Sequence, residues 1–447
     1  MDRIIFHIDV NSAYLSWSAI DRLKRGETVD LRTIPAIIGG DEKERRGVVF
    51  AKSEMAKACG VRTGEPVSHA LRKCPGLVMI PPDRALYKQY SERLMSLLSE
   101  YTDELEQISI DECFLDYTHI ARGFSSPVAA ACQIKDRVRE ELGFTVNVGV
   151  APNKLLAKMA SDFQKPDRVH TLYREEIPSK MWPLPVSELY MVGQASAGRL
   201  NGFGIRTIGE LAAADPEFLQ KNFKKHGMMM WEYANGIDDS PVNAARRAPK
   251  GIGNSTTLRE NAVTEDQARQ VLLSLAEEVS RRLRAERQIP GTVTVEIKYH
   301  DFTSVSHQRR PQRHSNATQV IYEEACDLFH ELWNGEPIRL LGIRTSSLTP
   351  EDEPSQISIF DYLAEADSRK ASGSGQEPAS ADPAAGQRLE KKQRRLDQAL
   401  DQIRKRYGKN AVVRGSMMRP AQAGRDLKDS GEQKSTKSGG TQQNGSE

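Results

Sequence analysis

Asp111 and Glu112 stand side by side in Ile108-Ser109-Ile110-Asp111-Glu112-Cys113-Phe114-Leu115-Asp116, behind a strand-like run over 105–110. Near the N-terminus a second strand-like run, Ile4-Ile5-Phe6-His7-Ile8, ends in another carboxylate, Asp9. Three acids at neighbouring strand ends make an oxygen cage for hard divalent cations. Two such ions, about 3.5–4 Å apart, clamp the attacking and leaving oxygens of a phosphoryl transfer. That chemistry requires the two strands to be neighbours. By spacing alone the pair at 111–112 has a second reading, an acidic hairpin turn, which is the commoner identity of such a pair.

The elements that must position these acids follow from periodicity. Residues 3–10 read as a buried strand, and Tyr14, Trp17, Ile20 and Leu23 have helical spacing behind it. A hairpin is expected over 35–51 around the charged turn 41–46, helices over 53–58, 66–72 and 85–101, and a tight strand pair over 105–110 and 113–117. A helix over 127–142, a strand over 145–150 and a helix over 153–162 complete the region. Strands and helices alternate without βαβ regularity, so a layered α+β fold is expected. After Pro183–Pro185 come helices with glycine turns, and from about 241 a second α+β module with a long helix over 264–288 and an alternating strand over 291–301. Residues 364–386 are rich in Ser, Ala, Gly, Glu and Pro and read as a linker; the charged helix after them carries Leu389, Leu396, Leu400 and Ile403 as an apolar stripe, either docking or solvated.

Bulk composition limits the partners. The chain has 447 residues, enough for three or four modules, and 63 basic against 61 acidic residues. A net charge of +2 is no nucleic-acid footprint, so any such contact must come from local patches. The five cysteines are scattered, odd in number and without metal spacing, which fits a reducing compartment. No signal peptide or membrane-spanning run is read, and the expected location is the cytoplasm.

Taken together, Asp9-Val10-Asn11-Ser12-Ala13-Tyr14, the run 108–112 and Ala151-Pro152-Asn153-Lys154-Leu155-Leu156-Ala157-Lys158-Met159-Ala160-Ser161-Asp162-Phe163-Gln164-Lys165-Pro166 resemble the Y-family translesion DNA polymerases, nearest their DNA polymerase IV branch. The resemblance runs from residue 1 to about 350. It implies a right-hand polymerase: a palm with a ferredoxin-like sheet and small fingers over 1–182 (fingers about 25–80), a helical thumb with a helix-hairpin-helix over 183–240, and an α+β little finger over 241–350. It further implies a clamp-binding segment over 351–363; linker, charged helix and disordered tail follow at 364–387, 388–415 and 416–447. The implied activity is low-fidelity, template-directed addition of deoxynucleotides to a primer 3′ end, without proofreading, in damage tolerance and repair. Asp9, Asp111 and Glu112 become the catalytic and metal-holding acids for two Mg²⁺ ions, joined by the Val10 backbone carbonyl. Tyr14 takes the steric-gate position that selects the deoxy sugar, and Lys57 and Lys165 match triphosphate-binding positions. The implied partners are primed DNA, a deoxynucleoside triphosphate and the sliding clamp, the β subunit of the replicative polymerase. Gln356, Ile357, Ser358, Ile359 and Phe360 resemble the peptide that docks on that clamp, and the expected state is a monomer.

Three positions depart from the family pattern. Ala13 stands where an aromatic is usual, Met191 replaces a glycine of the thumb hairpin, and Glu54 stands where relatives carry a phosphate-contacting Tyr. Lys52 and Ser53 are the neighbouring candidates for that role. Gly39-Gly40-Asp41-Glu42 also resembles the start of a diguanylate cyclase signature, but Lys43 follows instead of an aromatic. A non-catalytic DNA-binding protein on the same fold is the other alternative; loss of one of the three acids would have been its mark.

Overall fold

A computed structural model describes residues 3–40, 47–119, 126–245, 248–352, 383–408 and 411–412. It divides into two compact units, Met1–Arg247 and Ala248–Glu447.

The first unit opens with strand β1 (Ile5–Val10) and helix α1 (Ala13–Lys24). Ser12 links them in the left-handed region at φ 49°, which turns the chain sharply at the strand's end. Strands β2 (Ala36–Gly39) and β3 (Val49–Lys52) pair antiparallel; helices α2 (Glu54–Ala58) and α3 (Val67–Lys73) carry the chain across to β4 (Val78–Ile80), parallel to β2. Helix α4 (Arg84–Ser99) leads into β5 (Leu105–Gln107) and β6 (Glu112–Asp116). Helix α5 (Pro127–Arg137), β7 (Val146–Ala151), α6 (Lys154–Asp162) and β8 (Val169–Thr171) follow.

The central sheet has the order β5-β6-β1-β7-β8. Strand β1 is buried on both faces because its neighbours are covered by helices. Trp17 of α1 is fully buried beside Tyr87, Tyr90 and Phe144. On the other face α6 lies very close to β7, and Gly149 is the reason: a Cβ there would stand 1.9 Å from the Ala157 carbonyl oxygen and 2.6 Å from Ser161 N. Strands β4 and β8 escape sequence reading because three residues show no periodicity.

Helices α7 (Gln194–Gly202), α8 (Ile208–Ala212), α9 (Pro216–Phe223) and α10 (Lys225–Ala234) complete the unit around Leu200, Ile208, Leu211, Leu219 and Met230. Met191, where a glycine is usual, adopts the glycine-like left-handed conformation at φ 69°.

The second unit is an antiparallel sheet of order β11-β10-β12-β9: β9 (Gly251–Ala262), β10 (Gln288–Tyr299), β11 (Ser304–Arg309) and β12 (Ile338–Pro350). Helices α11 (Glu265–Ala285) and α12 (Thr318–Leu332) cover one face through Leu272, Val279, Ile321, Phe329, Val295 and Ile343. Helix α13 (Pro383–Tyr407) docks on this unit. The docking face differs from the expected apolar stripe: Leu396 is 52 % exposed and Ile403 37 %, while the side chain of Asp397 is 2 % exposed. The reason is polar. Helix α12 has Ala317 at its N-cap, which offers no side-chain acceptor, and Asp397 supplies one by accepting the Thr318 N–H at 2.9 Å. Arg284 then bridges Asp397 at 3.3 Å and Asp401 at 2.8 Å.

The clamp-like segment 356–360, the turn 41–46 and the tail from 413 lie outside the described residues. Among the described residues no helix is long and apolar enough to cross a membrane.

Candidate active site

Register brings the three acids together. Strands β1 and β6 run antiparallel with Asp9 opposite Glu112, so the end of one strand meets the start of the other. The Val10 N–H donates to the Asp111 carbonyl at 3.0 Å, which ties the residue before β6 to the same corner. Ser109 shapes the turn: its hydroxyl donates to Asp111 Oδ1 at 2.6 Å and accepts the Glu112 N–H at 3.1 Å. The acids therefore sit at the start of β6, just past the turn.

Each acid is held by a group of the protein. Lys165 forms an ion pair with Asp9 and another with Asp162 at 2.8 Å. Burial raises the Asp9 carboxyl above its ordinary range even against the Lys165 charge. Burial works against the Lys165 charge too, but Asp9 and Asp162 outweigh it and keep the ammonium high. Glu112 is held through Oε2 by Lys158 and faces His7 Nε2 at 3.2 Å. The His7 contact, with Lys158, holds Glu112 down to about 2 against its burial. Burial lowers His7 itself, against the Glu112 and Asp9 carboxylates.

A cleft of about 290 Å³ opens beside this corner, lined by Asp9, Val10, Tyr14, Phe50, Lys52 and Asp111 among others. Tyr14 stacks on Tyr87 with centroids 4.6 Å apart and planes at 14°. Burial, then the Asp111 charge, raises its phenol. Lys52 donates to Thr63 Oγ1 at 3.1 Å on the opposite wall. Lys57 is not on this wall; it lies on α2, exposed, 3.3 Å from Glu54 Oε2. Glu54 thus answers Lys57.

The donor chemistry fits a hard divalent cation: three carboxylates and the Val10 carbonyl, all oxygen, with no sulfur or imidazole required. Among the described residues no three carboxylate, imidazole or thiol side chains already converge on one point. Lysines and a serine hold the acids instead.

Sequence reading named the three acids and Tyr14, which the structure brings to one corner, and gave no role to His7, Ser109, Lys158 and Ser161, which surround them. Ser109 was within reach as a serine two residues before an acid in a turn. The α6 residues were not, because their contact with β1 and β6 depends on how closely α6 lies on the sheet.

The chain matches the impB/mucB/samB family over residues 8–162, that family's helix-hairpin-helix motif over 174–205, and its C-terminal domain over 249–359. It is 44 % identical over 418 residues to a DNA polymerase IV of Clostridium acetobutylicum, covering 94 % of this chain and 99 % of the relative. It is 34 % identical over 420 residues to DNA polymerase IV 1 of Bacillus subtilis, covering 93 % and 94 %. A solved Y-family DNA polymerase chimera superposes with a TM-score of 0.68 at 24 % identity, covering 78 % of this chain and 99 % of the chimera.

Proposed function

The chain belongs to the impB/mucB/samB family, the Y-family DNA polymerases, and from that premise we propose how its own residues carry translesion synthesis. The polymerase acts on a DNA template with deoxynucleoside triphosphates and depends on a divalent metal. We assign the metal as two Mg²⁺ ions held by Asp9, Asp111, Glu112 and the Val10 carbonyl. The observation that carries this assignment is the register of Asp9 opposite Glu112, with Asp111 tied to Val10, beside an open cleft. When bound, such ions neutralise the triphosphate and lower the pKa of the primer 3′-hydroxyl.

The remaining roles belong to side chains. Tyr14 forms the cleft floor against which a 2′-hydroxyl would clash, and Tyr87 behind it keeps the ring from yielding. Lys165 is the phosphate-binding cation nearest the acids, at rest on Asp9. Lys52 faces the cleft and is the better placed of the two finger lysines; Lys57 reaches phosphate only by leaving Glu54.

We assign residues 1–182 to palm and fingers, 183–240 to the thumb and 241–350 to the little finger. The open sheet face of the second unit is a DNA-contact surface. Residues 356–360 dock on the sliding clamp, which supplies by tethering what a net charge of +2 does not supply by attraction. The enzyme works as a monomer in the cytoplasm.

Primer extension by Asp111→Ala and Glu112→Ala tests the site. Each loses at least about 10³-fold in rate while the circular dichroism spectrum and primed-DNA binding persist. Extension retained by either variant sinks the acid assignment; template-independent turnover of GTP by the wild type would point to a cyclase instead.

A further inference from the structure

Asn147 stands near the start of β7 with no exposed surface, in a strand otherwise made of Val, Gly and Ala. A buried amide costs free energy unless its hydrogen-bonding atoms are used. Here they are. The amide nitrogen donates to the Ser161 carbonyl at 3.0 Å and to the Gln164 carbonyl at 2.7 Å. The amide oxygen accepts the Arg168 N–H at 3.3 Å. Reversed, the oxygen would face two carbonyls, so the partners fix the orientation. All three partners belong to one stretch, 161–168, which leaves the end of α6 and carries Lys165.

That stretch needs the amide. Ser161 lies in the last turn of α6, where carbonyls have no intrahelical partner. Gln164 follows the helix end, and its carbonyl is otherwise approached by the exposed His170 Nε2 at 3.2 Å. Pro166 has no N–H with which to close the turn. The outer end of the stretch is tied through Asp167, which pairs with Arg139 at 2.8 Å and Lys135 at 3.1 Å. Asn147 ties the inner end. Gly149, two residues on and on the same face of β7, lets α6 lie low enough for the amide to reach. Asp9 of β1 is the register partner of Asn147. The turn that the amide holds thus sets Lys165 onto Asp9.

A lysine carries its charge on a flexible four-carbon stem, so the place of the ammonium depends on where the stem starts. We propose that Asn147 is a positioning residue, whose amide fixes the turn from which Lys165 meets the triphosphate of the incoming nucleotide. It touches no reacting atom. This role rests on the reading of Lys165 as a phosphate-binding cation. Misplacing a contact of this kind by about 1 Å costs up to about 100-fold.

The test uses the full chain on primed DNA with the correct nucleotide. Single-turnover extension over a range of nucleotide concentrations separates nucleotide Kd from the rate at saturation. The variants are Asn147→Leu, which keeps the volume and removes both donated bonds, Asn147→Ser, Lys165→Ala, and the double variants with Lys165→Ala. Lys165→Ala raises the nucleotide Kd about 10–100-fold and Asn147→Leu at least about 5-fold, each with the saturating rate lowered by less than about 3-fold. Asn147→Ser, with one hydroxyl proton for two carbonyls, falls between Asn147→Leu and the wild type. The double variants bind nucleotide no worse than Lys165→Ala alone, because both changes remove the same interaction. Structural damage unconnected with Lys165 would multiply the two losses instead.

A folded Asn147→Leu with wild-type nucleotide Kd overturns the proposal, and so does a double variant whose loss is the product of the single losses. If the circular dichroism spectrum shows that Asn147→Leu does not fold, Asn147→Ser and its double variant are read by the same two criteria. Lys165→Ala separates the two claims. If it leaves the nucleotide Kd unchanged, the phosphate-binding reading of Lys165 fails and the positioning role falls with it. If it raises Kd while a folded Asn147→Leu does not, the positioning role alone fails.

Discussion

The function proposed above falls in different places on the two sheets. In the first unit it sits at strand tips: Asp9 ends β1, Glu112 begins β6, and strands of three to six residues suffice. In the second unit it lies on an open face, where β9, β10 and β12 run for 12 or 13 residues and expose Asn254, Ser255, Glu296 and Arg344 around a concavity of about 670 Å³. A tip site depends on register, since one residue of slip would part Asp9 from Glu112 and turn every side chain over. A face site depends only on alternation, and each contact adds a little. The first arrangement suits chemistry. The second suits a backbone whose sequence must not matter.

The sharpest way to break this contrast is to add one methyl group to each sheet. Gly149→Ala forces α6 off β7 and costs about 3 kcal/mol or more, read as a fall in denaturation midpoint together with loss of extension. Gly342→Ala meets the Ser255 Cβ at 3.1 Å and then only ordinary contacts, the Glu296 Cβ at 3.6 Å and the Asn254 carbonyl oxygen at 3.7 Å, and costs less than about 1 kcal/mol. Equal costs would remove the distinction. Next in size, Tyr14→Ala lowers discrimination against ribonucleotides about 10–100-fold, measured as the ratio of kcat/KM for the two sugars; an unchanged ratio refutes the gate. Asp397→Ala leaves the α12 N-terminus uncapped and lowers stability of the second unit by about 1–2 kcal/mol without altering sugar choice. Arg344→Ala has the smallest effect. It weakens primed-DNA binding about 5-fold and reduces the salt slope by about one, with the same loss on every template sequence. Sequence-dependent loss would mean that this face reads bases.

The same contrast explains what was legible beforehand. Strand tips with acids announce themselves, because Asp9 and Asp111-Glu112 end or interrupt apolar runs. The long alternating strand β10 was equally plain. What could not be read was anything set by proximity between elements: His7 and Ser161, brought together across β1 and α6; Lys158 on Glu112; Lys52 rather than Lys57 on the cleft wall. The docking face of α13 was hidden for a related reason. Periodicity ranks hydrophobic burial first, but the receiving surface presented Arg284 and a bare helix N-terminus, so aspartates faced inward. Resemblance to the family carried the assignment of Tyr14 and Lys165; their spacing alone is that of ordinary core and surface residues.

The Asp397 cap also has a bearing on the order of events during synthesis. Residue 397 leaves the ribosome 79 positions after the helix start it completes. At about 5–20 residues per second, that is a wait of roughly 4–16 s in which the second unit exists without its last bracket. A nascent chain halted before residue 397 would therefore expose a little-finger sheet already formed but easily cut. Limited proteolysis of stalled chains should show protection of α12 arriving as a late, separate step.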